Sequence, residues 1–290
     1  MNKRIFKRAS IGLSLMFSMQ AFSLVDYSDS ESTAKVNTTT TKMSPRENSS
    51  SLIWKSDFSL ETNYELLKIN QDKVGLLNIG THIQTPFNVY FDARYWQANS
   101  NQGSSAGNPK LVLGFNWLRI GSQTDMAALN LYGGAMLSSS SFLGSSRTDK
   151  LFGIETTKKF GNFGLGIGFE LGMSGAPKNS TEMAIGNTQK IEISGGWMAT
   201  NDIQFEVSAE NFKINKNTEY QVTQSLQKEL SYSTLTSKMN LQIFPAVNFE
   251  FGARFPMKRA KSEQDLAQAK LINNHGTYSS TVFSGLNLSI

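Results

Sequence analysis

Between Phe163 and Met173 every odd position is apolar: Phe163, Leu165, Ile167, Phe169, Leu171 and Met173. Every even position is small or charged: Gly164, Gly166, Gly168, Glu170 and Gly172. Successive side chains of a strand point to opposite faces, so this stretch predicts a strand with one oily face and one small, wet face. The alternation recurs about a dozen times. It predicts strands over Ser56–Lys68, Val74–Gln84, Asn88–Gln97, Lys110–Ile120, Ala127–Leu137 and Lys150–Phe160. Six more follow over Phe163–Met173, Gln189–Ala199, Asp202–Lys213, Tyr232–Phe244, Ala246–Phe255 and Ser279–Ile290. No helical core pattern offers such a sheet a partner. Strands of this length, oily on one side, suit a tilted crossing of a bilayer.

The connections test that reading independently. Let the first strand run outward from a periplasmic N-terminus. One set of turns becomes Thr85–Phe87, Gly121–Met126, Gly161–Asn162, Thr200–Asn201 and Pro245, all short. The other set becomes Asn70–Lys73, Ala98–Pro109, Ser138–Asp149, Gly175–Thr188, Asn215–Ser231 and Met257–Tyr278, long in every case but the first. Short periplasmic turns with long outer loops mark outer-membrane barrels, and a missed strand would scramble the two sets. Outward aromatics sort to the strand ends as well. Phe58, Trp117, Phe160, Phe163, Trp197 and Phe205 lie at the inner ends, and Tyr95, Phe152, Phe255 and Tyr278 near the outer ends. Amphipathic rings collect at both membrane interfaces. The expected fold is all-β: a transmembrane antiparallel up-and-down β-barrel of about 12 strands with both termini periplasmic.

The N-terminus is consistent with export. Lys3, Arg4, Lys7 and Arg8 precede an apolar run from Ile11, and Ala21-Phe22-Ser23 places small residues for cleavage after Ser23. The run falls short of the roughly 20 residues a helical span needs. The expected domains are a signal peptide over 1–23, a flexible Ser/Thr-rich periplasmic segment over 24–51, and the barrel over 52–290. Residues 24–51 are too polar to bury a core; folding back as a plug is the other reading. The whole chain carries 28 Lys+Arg against 23 Asp+Glu, a net +5. Removing the signal takes four cations and leaves 24 against 23, a net +1. The high pI therefore belongs mostly to the targeting segment and gives no support to a nucleic-acid partner. There is no cysteine, so neither disulfides nor a lipid-modified N-terminal cysteine can occur.

Charge within the strands falls on inward positions. The acids are Glu61, Glu65, Asp92, Glu155, Glu170, Glu192, Glu206, Glu210 and Glu250; the bases are Arg94, Lys110, Lys159, Lys190, Lys238 and Arg254. Facing lipid at mid-membrane would cost roughly 2–4 kcal/mol for each Arg or Lys. Two readings stand. The residues line a weakly cation-preferring lumen, or they form a network that ties the walls together and fills the interior. The glycines of Phe163–Met173 do not form a phosphate loop, because Leu171 stands where G-x-G-x-x-G needs glycine and no helix follows. The two histidines, His82 and His275, fall at opposite ends, so no histidine-built metal site is expected. A surface lipid hydrolase would need a lipid-facing His–Ser pair, whereas His82 is lumenal and His275 has no supporting motif. No catalytic residues and no cofactor are assigned. The last outer loop carries a basic patch, Lys258, Arg259 and Lys261. Ser262-Glu-Gln-Asp265 precedes Leu266–Ile272, and Ser262 is positioned to cap a short helix there, with Asp265 as its reciprocal partner and Asn274-His-Gly276 as its end. The patch is a clamp for lipopolysaccharide phosphates, a gate, or simply a solvated loop.

The C-terminus, Phe283-Ser-Gly-Leu-Asn-Leu-Ser-Ile290, resembles the insertion signal of bacterial outer-membrane barrels: Gly285, Leu288 and Ile290 keep its spacing, with Ile where Phe or Trp is usual. From about Ser51 to Ile290 the pattern resembles outer-membrane porins and porin-like channels. In strand number it is similar to the small twelve-stranded channels for oligosaccharides and nucleosides, whose basic lumen is not reproduced. The resemblance implies a bacterial outer-membrane protein meeting lipid, lipopolysaccharide and the barrel-insertion machinery. The expected function is passive diffusion of small polar solutes through a mixed-charge lumen. The alternatives are an adhesin or structural barrel with an occluded lumen, and, third, a surface lipid or peptide hydrolase.

Overall fold

Alternating burial on the strands follows from two solvents, one on each face. In β8 (Phe163–Met173), Phe163, Leu165 and Ile167 are more than half exposed, while Gly164, Gly166 and Glu170 are buried. The computed structural model describes residues 57–69, 72–100, 103–122, 125–142, 144–179, 182–220, 224–271 and 279–289. The signal, the Ser/Thr-rich segment, His275 and Ile290 lie outside these residues.

The strands in order are β1 (Asp57–Ile69), β2 (Asp72–Gln84), β3 (Val89–Ser100), β4 (Gly103–Ala106), β5 (Lys110–Ser122), β6 (Asp125–Met136) and β7 (Asp149–Phe160). After β8 come β9 (Thr188–Met198), β10 (Ile203–Ile214), β11 (Leu230–Phe244), β12 (Val247–Lys258), a short helix α1 (Glu263–Gln268) and β13 (Thr281–Ser289). Each long strand pairs antiparallel with its sequence neighbours, and β1 pairs with β13 from Ser59↔Ser289 to Leu66↔Val282. That last ladder closes a 12-stranded barrel and leaves no open edge among those strands, as hydrocarbon demands. The described strand ends reproduce the predicted boundaries within three residues, and β8 does so at both ends.

Four local features depart from the expectation. The thirteenth strand, β4, folds back on the end of β3, pairing Gln97↔Ala106 to Ser100↔Gly103, within a stretch expected to be loop. Gly103 makes this possible with φ 126°, open to glycine at little cost. Next, β5 carries a bulge: Asn116 faces Asn130 but Leu118 faces Leu129, leaving Trp117 as an extra residue. Leu118 and Ile120 thereby join Trp117 on the outer face, beyond the point where strict alternation would place them. The helix α1 is capped by Ser262, whose side chain accepts from the Asp265 amide, but it ends at Gln268, short of Asn274. Lys270 takes φ 54° there, with Lys270 N–H donating to Ala267 O (3.1 Å) and Leu271 N–H to Leu266 O (3.3 Å). This is a Schellman termination, with the buried Leu271 and Leu266 as its apolar pair. Finally, the loop carrying α1 folds into the barrel mouth, so the solvated-loop reading holds only for its exposed basic stretch.

The short turns β2–β3, β5–β6, β7–β8, β9–β10 and β11–β12 lie at the end where the chain enters β1 and leaves β13; the short β1–β2 connection and the long loops lie at the other. Near that end Trp197 stacks between Phe163 (centroids 6.3 Å apart) and Phe205 (5.9 Å), building one arc of an aromatic girdle across β8, β9 and β10. Inside, two tyrosines lie flat on glycines. A Cβ on Gly114 would meet the Tyr90 ring at 1.9 Å, and one on Gly153 the Tyr132 ring at 1.9 Å.

Candidate functional site: a charged lumen under a loop plug

Strand closure brings many of the charged inner-face side chains of the barrel into mutual contact. Lys110 Nζ lies 3.1 Å from Glu170 Oε2, which also accepts from Tyr132 Oη at 3.1 Å. Lys190 lies 3.5 Å from Glu192. Lys238 sits between Glu206 (3.2 Å) and Glu250 (3.6 Å). Arg254 donates to Glu65 Oε2 at 2.8 Å, Thr281 Oγ1 to Glu65 Oε1 at 2.5 Å, and the guanidinium lies 4.6 Å from the Phe283 ring. Glu61 accepts from Asn287 Nδ2 at 3.2 Å. Glu155 is buried on the same face of β7. Asp92 meets His82 Nδ1 at 2.6 Å, towards the short-turn end. His82 thus faces the interior, away from lipid.

The most deeply placed of these charges are nearly sealed from water. Glu65 is 0% exposed, Glu206 4% and Glu250 5%, and Lys190 and Lys238 are 9% each. Buried ions persist only where pairing and hydrogen bonds offset lost hydration; Lys238 pairs with both neighbouring strands, whereas Lys110–Glu170 and Arg254–Glu65 reach across the intervening ones.

Above these charges the long-loop end is closed by a plug; loops narrowing the mouth were expected from the sequence, but its packed apolar core was not. Strand-end residues Val74, Leu76, Trp96, Phe212, Ile214, Leu230 and Tyr232 point into the mouth. Three loops fill it from above: Met183 and Ile185 from the β8–β9 loop, Leu226 from β10–β11, and Leu266, Ala269 and Leu271 from β12–β13. Ala184 bridges Ser225 in parallel, with Ala184 N–H donating to Gln224 O (3.0 Å) and Leu226 N–H to Ala184 O (2.8 Å). Met183 N–H donates to Gln268 O at 3.0 Å, which ties α1 to the β8–β9 loop.

A fourth loop, β6–β7, latches two of them, β8–β9 and β12–β13. Arg147 is 2% exposed. Its Nε donates to Asp149 Oδ2 (3.1 Å), and its Nη1 donates to Glu182 Oε1 (2.9 Å) and Ala269 O (2.6 Å). Glu182 also accepts from Ser146 N–H (2.7 Å), Ser146 Oγ (2.8 Å) and Ser145 Oγ. Asn108 braces the same loop, donating to Leu137 O (2.7 Å) and Ser145 O (2.6 Å) and accepting from Ser145 N–H (2.6 Å). Lys270 donates to Phe142 O and covers its ring at 4.6 Å. Partial burial pushes its ammonium below the ordinary lysine pKa, with Glu182 opposing the shift. The only sequence signal for the latch was one arginine in a serine-rich run, Ser138–Asp149.

The basic patch stays outside. Lys258, Arg259 and Lys261 are exposed, with Lys258 Nζ donating to Ser231 Oγ at 2.7 Å. Among the described residues no group of three or more His, Cys, Asp or Glu side chains is placed to hold a metal ion.

No family model matches the sequence, and no curated protein matches it significantly. The fold does match solved structures. An outer membrane channel from Pseudomonas putida F1 aligns with a TM-score of 0.59 at 8% identity, covering 81% of this chain and 95% of that one. The NanC porin aligns with a TM-score of 0.51 at 6% identity, covering 81% and 99%. The chain therefore has the closed 12-stranded fold of outer-membrane channels, at identities too low to carry function with the fold.

Proposed function

We propose that this chain is an outer-membrane channel for passive movement of small polar solutes, with its mouth closed in this conformation by the loop plug. The observation that carries the reading is a mixed-charge inner face, nine acids against six bases, inside a closed barrel whose outside is a continuous apolar band. Rings of charged side chains on the inner wall are what such barrels use to select solutes, and opening the plug would wet them. The excess of acids favours cations. The fold likeness to channels supports the same reading.

We infer with it that both termini and the short turns face the periplasm, after signal cleavage near Ser23. The long loops and the patch at Lys258, Arg259 and Lys261 then meet lipopolysaccharide phosphates. The C-terminal strand engages the insertion machinery.

One observation favours a second reading, a structural barrel or adhesin without a pore: the most deeply placed inner-face charges are paired and almost water-free, and the plug has a packed core. Planar-bilayer recording on refolded protein separates the two. The channel reading expects rare openings in the native chain and frequent ones in Arg147→Met. Silence from both proteins, each correctly folded, removes the channel and leaves the structural barrel.

A further inference from the structure

On one wall of the lumen two buried amide oxygens lack a donor, while Gln204 Nε2, two residues from Glu206, lacks an acceptor. Asn63 is 4% exposed, and its Oδ1 has no hydrogen-bond partner. Asn287 Oδ1 is also buried and unpartnered, although the same amide donates to Glu61. Glu206 Oε2 is buried as well, and its close donor is Lys238 Nζ at 3.2 Å. The register puts these groups side by side. Glu61 faces Asn287; Asn63 faces Gly285, which faces Glu250 on the next strand; and Glu206 faces Lys238. Gly285 has no side chain, so nothing fills the space between the Asn63 amide and the Glu250 carboxylate from that strand. Two carboxylates thus flank the Lys238 ammonium, and the Glu61 carboxylate and the two amide oxygens stand on the same wall, on β1 and β13. Even with Arg94 acting on Glu61 from β3, acids exceed bases on this wall.

Buried acceptors without donors are rare in folded proteins, because each loses its hydration for nothing. A ligand that donates several hydrogen bonds, accepts none and carries positive charge would satisfy the wall. A primary ammonium has three donors and no acceptor. Lys238 already presents that group here. A dehydrated metal ion fits less well, since no acidic cluster among the described residues has metal-holding geometry.

We propose that this wall is a binding subsite for a small organic cation bearing a primary ammonium, and that Lys238 is its tethered occupant. The proposal rests on the channel reading and names its solute class. An entering ammonium exchanges with the Lys238 head group between Glu206 and Glu250, and moves on when Lys238 returns.

The test is titration calorimetry of the folded mature chain in detergent micelles with n-butylammonium. Tetramethylammonium, potassium and butyrate serve as comparisons. Saturable binding of butylammonium is expected, at least tenfold tighter than tetramethylammonium, which has charge but no donors. Lys238→Met should tighten binding at least tenfold by vacating the site. Asn63→Leu and Glu250→Gln should each weaken it about tenfold. If Lys238→Met alone does not fold, Lys238→Met with Glu206→Gln removes one charge of each sign and should still bind more tightly than the native chain. No binding, equal binding of tetramethylammonium, or unchanged affinity on losing Lys238 would overturn the proposal. Calorimetry needs no current, so the two ideas fail separately. Conductance without binding removes the subsite, and binding without conductance removes the channel.

Discussion

Arg147→Met is the sharpest perturbation of the plug. The guanidinium is 2% exposed and joins the β6–β7 loop to Glu182 and to the carbonyl of Ala269. Methionine keeps much of the stem's packing but strands Glu182, 2% exposed, without its cation. Removing one partner of a buried ion pair costs about 3–5 kcal/mol. Three serine-loop donors remain on Glu182, which argues for the lower half of that range. At one power of ten per 1.4 kcal/mol, the latched-to-open ratio should fall by roughly two to three powers of ten. The barrel ladders do not involve Arg147, so the loss is local. Amide hydrogen exchange in micelles reads it directly. Protection at Ala184 and Leu226, whose amides donate within the plug, should fall by that factor, while protection at Ile167 in β8 should not change. Adding Glu182→Gln to Arg147→Met should restore much of the protection, because a neutral amide costs less to bury unpaired than a carboxylate. Plug protection within threefold of the native chain would refute the latch, and equal loss at Ile167 would refute its locality.

Leu266→Ala empties the centre of the plug, where the side chain is fully buried. A cost of about 2–5 kcal/mol is expected, seen as faster proteolysis of the α1 loop in a barrel that still migrates as folded before heating. Gly153→Val drives a methyl-bearing Cβ into the Tyr132 ring, which is held by Glu170, so refolding yield should collapse and recover partly in Gly153→Val with Tyr132→Ala. Equal yields for the single and double variants would deny the ring-on-glycine packing. Ile167→Arg places a cation on the lipid face and should destabilise folding into vesicles by about 2–4 kcal/mol in a urea titration. Thr157→Arg, on the inner face beside Gly166, should cost much less, and a reversed order would mean that the faces are misassigned.

Local sequence was enough for the wall of this protein. Lipid accepts only apolar side chains and a wet interior accepts polar ones, so the two-residue period is enforced along each crossing, and β8 runs from Phe163 to Met173 as its alternation predicts. The same constraint marked the inward charges from Glu61 to Arg254 and sorted short turns from long loops. Where alternation is relaxed the reading slipped by a residue, as at the Trp117 bulge, or missed a hairpin, as at Gly103. What fills the cylinder was decided only by closure. Ile185, Leu226 and Leu266 each stand in a loop with no periodicity of its own, and nothing in their neighbours says that they meet. They converge because twelve strands bring their loops to one mouth and the apolar strand ends Leu76, Ile214 and Leu230 there need covering. Arg147 becomes a latch for the same reason: its partners Glu182 and Ala269 lie far along the chain, and only the ring of strands makes them neighbours.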